Sequence, residues 1–194
     1  PKLGTVRCAF IGVGARGGGH CNSFAKLQNT KVVAICDLHA DLAERSANAC
    51  VAAGHEKPAV YTNGSKDYLR MLKREDIDIV VIATPWKEHA PMVIATMEAD
   101  KHAFVEVPLA VTLQEHWDIV NTSERTGKHC MMMENVNYGR DELMFLNMCR
   151  QGVIGELLHG EAAYIHDLRG QMNHIKRGTG SWRTLEWAER NGNL

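Results

Sequence analysis

Residues 10–20 read FIGVGARGGGH, an apolar run that stops at a glycine, with glycine at five of the last nine positions. Val6 to Ile11 before it is a short hydrophobic stretch, and Gly18 to Leu27 after it has helix length, so the glycines fall at a strand-to-helix turn. Gly12, Gly14 and Gly17 fit Gly-x-Gly-x-x-Gly, with Ala15 and Arg16 between the last two, and Asp37 ends the next apolar run, Lys31 to Cys36. In that context each glycine has a task. Gly12 permits a tight turn, Gly14 lets backbone approach a pyrophosphate, and Gly17 lets helix and strand touch. The helix amino end offers amides and partial positive charge to the phosphates. Asp37 is placed to accept hydrogen bonds from an adenosine ribose and to repel a 2′-phosphate, which favours NAD over NADP. A plainer reading, a glycine turn that only starts a helix, is outweighed by the element order and the acidic residue.

The alternation continues outward from this turn. His39 to Ala53 is an alanine-rich helix closing at Gly54, Ala59 to Thr62 a brief strand, and Ser65 to Lys73 a helix. Ile77 to Ala83 is a strand, Glu88 to Glu98 a helix, and Ala103 to Glu106 a strand. Thr112-Leu-Gln-Glu115 is a capping box that opens a helix running to Gly127, and His129 to Glu134 is the sixth strand. Strands alternating with helices of this length predict a Rossmann-type, doubly wound parallel sheet over residues 1–135.

Beyond it the pattern changes. Asp141 to Gln151 reads as a helix, Gly155 to Tyr164 as a strand, and Ile165 to Leu194 as a long loop or the opening of a second domain. Residues 136–194 are therefore expected to begin an α+β domain that is incomplete, so the chain reads as truncated. It starts at Pro1 rather than methionine, which leaves room for an upstream export segment that has been removed.

Composition narrows the function classes. The 194 residues are 45% hydrophobic and 23% charged with a formal net charge of -1, ordinary for a soluble globular protein and without the basic patch of a nucleic-acid binder. No apolar run approaches a membrane span, and no signal peptide stands at the start. The six cysteines lack a Cys-x-x-Cys pair and read as reduced, buried small hydrophobes. The ten histidines show no metal-ligand spacing. A small-molecule partner is expected, with no nucleic acid or membrane and with room for a homo-oligomer.

In an open parallel sheet ligands collect beyond the carboxyl ends of the strands. Three unusual stretches fall there: Thr84-Pro85-Trp86-Lys87-Glu88-His89, Glu106-Val107-Pro108, and Glu134-Asn135. Each also has a structural reading. Trp86 reads equally as a cap on the core, His89 as a helix start, and Glu106 as a solvated loop carboxylate. Met131, Met132 and Met133 read as core packing, and Tyr164, Asp167, Arg169, Trp182 and Arg183 as ordinary loop polarity.

The glycine loop, the Thr-Pro element and the Glu-x-Pro turn follow the plan of the glucose-fructose oxidoreductase and inositol dehydrogenase superfamily. AFIGVGARGGGH, ATPWKEHAPM, EVPLAVTLQEHWDIVNTSERTGKHCMMMENVNYGRDELMFLNM and GEAAYIHDLRG more specifically resemble glycoside hydrolase family 109, over nearly the whole chain. The resemblance implies an NAD-dependent α-N-acetylgalactosaminidase. In that route C3 of the sugar loses a hydride to NAD and becomes a ketone, the acidified C2 hydrogen is removed, and the aglycone is eliminated. Water then adds and the hydride returns. By matching motif, Ala15, Arg16, Asp37, Pro85, Trp86, Lys87, Glu88, His89, Glu106, Val107 and Asn135 would contact NAD. Tyr164 would act as an acid/base at the sugar, and Arg183 would bind it. The superfamily's dehydrogenases commonly carry Glu-Lys-Pro where this chain has Glu106-Val107-Pro108. A valine moves no proton, so simple polyol dehydrogenation is disfavoured. A silent NAD- or sugar-binding regulator is the third reading, weakened by the Tyr164 and Arg183 blocks.

Overall fold

The computed structural model describes residues 4–135, 137–163, 165–167, 169–172 and 181–190. The first half is a regular alternation: β1 (Val6–Ile11), α1 (Ala15–Phe24), β2 (Thr30–Cys36), α2 (Ala40–Ala52), β3 (Ala59–Tyr61) and α3 (Asp67–Leu72). It continues through β4 (Ile79–Ile82), a 3-10 turn at Trp86–Glu88, α4 (His89–Glu98), β5 (His102–Val105), α5 (Leu113–Thr126) and β6 (Cys130–Met132). The strands form one parallel sheet in the order β3-β2-β1-β4-β5-β6. Strand order reverses at the β1–β4 pair, and that switch point opens a crevice beyond the carboxyl ends of β1 and β4.

Alternation along β1 builds the layers. Ala9 and Ile11 face a cluster with Val80, Ile82, Tyr68, Met71, Val93, Met97 and Ile119, roofed by α3, α4 and α5. Cys8 and Phe10 face the opposite cluster with Ile35, Val81, Cys21, Ala43, Ala47 and Cys50, roofed by α1 and α2. A sheet buried on both sides explains why its strands read as unbroken apolar runs. Cys8, Cys21, Cys36 and Cys50 are buried among them, and burial pushes the thiols of Cys8 and Cys36 up to about 12.

Local signals act as expected in α5. Thr112 Oγ1 accepts from the Glu115 amide at 3.2 Å, Glu115 Oε2 accepts from the Thr112 amide at 3.0 Å, and Gly127 closes the helix at φ 67°. Helix α1 begins at Ala15, earlier than the Gly18 expected from sequence, because its first turn closes on backbone alone through Gly18 N–H to the Gly14 carbonyl.

After β6 the chain forms α6 (Arg140–Arg150), α7 (Arg169–Met172) and α8 (Ser181–Arg190). One expectation is corrected here. Of the strand expected at 155–164, residues 155–163 form none: they are exposed throughout, and among the described residues no neighbouring strand offers them a ladder. The segment read as a long loop or the opening of a second domain contains α8, in which Glu186 is buried and Trp182 half-buried one turn apart. Tyr164 lies outside the described residues. Among the described residues no helix is long and apolar enough to cross a membrane.

Candidate functional site

The glycine loop packs so closely that side chains are excluded at Gly12 and Gly17. Gly12 sits at φ +82°, and a Cβ there would meet the Ala83 carbonyl oxygen at 2.8 Å. A Cβ on Gly17 would fall 1.9 Å from the Gly12 carbonyl oxygen, so the first turn of α1 crosses the end of β1 in direct backbone contact. Gly14 caps α1 without a side-chain hydrogen bond. The amides of Ala15, Arg16 and Gly17 precede the first intrahelical bond and so have no acceptor within the helix. These amides and the positive end of the helix suit an anion by charge.

Asp37 sits at the mouth of the loop, just past β2. Its Oδ2 accepts from the Val13 amide at 2.7 Å and its Oδ1 from the His39 amide at 2.8 Å. Both oxygens are therefore fixed while each keeps a lone pair for a further donor, which suits vicinal ribose hydroxyls. Arg45 of α2 braces the loop from outside, donating from Nη2 to the carbonyls of Val13 at 3.1 Å and Gly14 at 3.2 Å.

The other strand ends converge on the same crevice. Glu106, just beyond β5, is 9% exposed and meets His20 of α1: Oε1 lies 2.5 Å from Nε2. A carboxylate only accepts, so Nε2 carries the proton. Arg16 Nε stands 3.8 Å from the same oxygen. Burial pushes the Glu106 carboxyl up, but the His20 hydrogen bond and charge, with Arg16 behind them, hold it below its ordinary value. Glu106 thus joins α1 to the end of β5 as an anion. Val107 follows it, half-buried, and Asn135 lies exposed beyond β6.

His89 is fully buried at the start of α4, where Nε2 faces the Thr84 carbonyl at 2.8 Å and Nδ1 the Pro108 carbonyl at 2.7 Å. It ties the loop after β4 to the loop after β5 from beneath. Pro85 leads the 3-10 turn, Glu88 ends it half-buried, and Trp86 and Lys87 face α8. The Trp86 and Trp182 rings meet edge to face with centroids 4.9 Å apart. The Arg183 guanidinium lies 4.6 Å from the Trp182 ring centre and 5.7 Å from that of Trp86.

Sequence reasoning does not assign His20, Arg45 or Trp182 to the site. His20 carries a signal, as a histidine one turn after Gly17 on the face turned toward the crevice. Arg45 carries none, because an arginine on an alanine-rich helix reads as solvated.

The parallel sheet, the tightly packed glycine loop and the anchored Asp37 define an NAD-binding Rossmann protein. Residues 6–134 match the family model described as oxidoreductase family, NAD-binding Rossmann fold, and residues 138–194 match that described as glycosyl hydrolase 109, C-terminal domain. The chain belongs to the oxidoreductase family with the NAD-binding Rossmann fold, and the segment that follows is similar to the C-terminal domain of glycosyl hydrolase 109. It is 59% identical over all 194 residues to a glycosyl hydrolase family 109 protein of Shewanella baltica, and likewise to an α-N-acetylgalactosaminidase of Shewanella oneidensis. The chain spans 42% of the length of these curated relatives. Among solved structures it resembles myo-inositol dehydrogenase from Lactobacillus casei in complex with NAD(H) and myo-inositol, with TM-score 0.69 and 26% identity. That match covers 78% of this chain and 43% of the dehydrogenase.

Proposed function

We propose that the protein carrying this sequence is an NAD-dependent glycosidase that hydrolyses terminal α-N-acetylgalactosaminides without net redox change. Residues 1–135 form its cofactor domain, and residues 136–194 open its substrate domain. One observation carries the reading. Helix α8, within the segment matching the hydrolase C-terminal model, lays Trp182 and Arg183 on Trp86 at the carboxyl end of β4, against the dinucleotide crevice. The names of the Shewanella relatives support the same substrate class.

Bound NAD supplies a reversible hydride acceptor, which lets a glycosidic bond be broken by elimination rather than by a carboxylate pair. The Ala15, Arg16 and Gly17 amides hold the pyrophosphate, and Asp37 holds the ribose. Glu106, kept ionised by His20, lines the nicotinamide end beside Val107, where an apolar side chain carries no proton. Tyr164 is the acid/base at the sugar hydroxyls and Arg183 binds the sugar.

The test is to incubate the full-length protein with p-nitrophenyl α-N-acetylgalactosaminide. Nitrophenol should appear without a lasting absorbance of reduced cofactor. Steady accumulation of NADH without aglycone release would instead make it a sugar or polyol dehydrogenase, and NAD binding with neither signal a regulator.

A further inference from the structure

We propose that Trp182 is a positioning residue for the cofactor: with Glu189 it clamps the turn at Trp86–Glu88, so that Trp86 presents one fixed face to the nicotinamide end of the crevice. This rests on the NAD reading above.

The turn is short. It is a single 3-10 turn of three residues, without a side-chain cap, closed by backbone bonds from Glu88 N–H to the Pro85 carbonyl at 3.0 Å and from His89 N–H to the Trp86 carbonyl. Trp86 stays half-buried with α8 in place, so part of its ring remains open. Contacts from α8 cover another part. Trp182 sets its ring at 87° to the Trp86 ring, the edge-to-face geometry in which the positive rim of one indole meets the negative face of the other. Two turns further on, Glu189 accepts from Lys87 Nζ at 3.3 Å. Trp182 and Glu189 stand seven residues apart and share a helix face with the buried Glu186 between them, so both contacts come from one rigid surface. Arg183 lies over both rings, and its cation is attracted to each π face.

The ring contact joins side chains 96 residues apart in sequence, one on α8 and one in the loop after β4. The turn that faces the cofactor is thereby held by the segment that carries the sugar-binding arginine. Substrate and cofactor meet a single clamped unit rather than two independent loops.

A double-mutant cycle in the full-length protein, read as NAD affinity by calorimetry, tests this. Trp182→Leu, which keeps an apolar side chain but no ring, should weaken NAD about three- to tenfold, the worth of one edge-to-face pair. Trp182→Phe, which still offers a ring edge, should recover most of that loss. Trp86→Ala combined with Trp182→Leu should bind no more weakly than Trp86→Ala alone, because the second substitution acts only through Trp86. Wild-type affinity in Trp182→Leu, equal losses in the Leu and Phe variants, or losses that simply add would overturn the clamp while leaving NAD binding intact. A wild-type protein that takes up no NAD would overturn the cofactor reading itself, and the clamp with it.

Discussion

Glu106 Oε1 lies 2.5 Å from His20 Nε2, a hydrogen bond that spans 86 residues of sequence and joins the phosphate-binding helix to the end of β5. The pair sets the charge at the nicotinamide end of the crevice. Removing the imidazole leaves a buried carboxyl with the more distant Arg16 and the Val107 backbone amide, so burial gains weight and the carboxyl titrates at higher pH. His20→Ala should therefore weaken NAD by less than the roughly 1.5–3 kcal/mol that a charge-assisted hydrogen bond is worth, because the bond is lost from the free and the bound protein alike. His20→Asn, which keeps a donor, should lose less. Calorimetric titration of both variants checks the order, and equal affinity in the alanine variant would remove His20 from the site.

Asp37 predicts an unusual intolerance of asparagine. Both carboxylate oxygens accept from backbone amides, Val13 and His39. An asparagine must turn its NH2 toward one of them, donor against donor, and it also loses the charge that orients toward ribose. Asp37→Asn and Asp37→Ala should both weaken NAD by about 1–3 kcal/mol. In a competition assay NADP should gain on NAD in both, since the repulsion of a 2′-phosphate has gone. Unchanged NAD affinity would reject the ribose role.

Gly17 tests the loop geometry alone. With 1.9 Å between a Cβ at that position and the Gly12 carbonyl oxygen, Gly17→Ala must push α1 off β1. Overpacking of this kind costs about 1–3 kcal/mol, and the shift also spoils the anion cradle. Gly19 lies on the same helix, and a Cβ added there would meet nothing within 4 Å, which makes it the matched control. Gly17→Ala should melt lower and lose NAD, while Gly19→Ala should do neither.

How far these features could be read from sequence follows the range of the interactions behind them. Strands β1, β2 and β4 were legible because burial on both faces leaves an apolar run, and α5 because Thr112 and Glu115 cap it within one turn. Gly12, Gly17 and Asp37 were legible because the turn forces their spacing. His20, Arg45 and Trp182 act on partners 86, 31 to 32 and 96 residues away, and no local pattern encodes such pairing. The strand expected at 155–164 failed over 155–163 for a related reason. Alternation shows which faces a strand would present, but a ladder needs a neighbour, and none is described beside it.

At the amino ends of the strands, away from the crevice, Arg7 and Asp78 tie the starts of β1 and β4 together. Arg7 Nε and Nη2 reach the two Asp78 oxygens at 3.0 and 2.6 Å, and the Arg7 amide adds a third bond at 2.7 Å. The Arg7 guanidinium holds the Asp78 carboxyl below its ordinary value, against the opposing effect of burial. A carboxyl depressed on folding stabilises the native state at pH above its unfolded value of about 3.9, and that contribution is lost as pH falls through the lower folded value. Asp76 beside Arg74 and Asp67 beside Arg70 are depressed in the same direction, so the losses coincide. Urea unfolding should therefore give a stability that drops steeply below about pH 4. Asp78→Asn should cost about 1 kcal/mol at neutral pH, a modest figure because solvent screens the half-exposed pair, and it should flatten the acid limb of the curve. An acid limb as steep in Asp78→Asn as in wild type would show that other carboxyls carry the acid sensitivity.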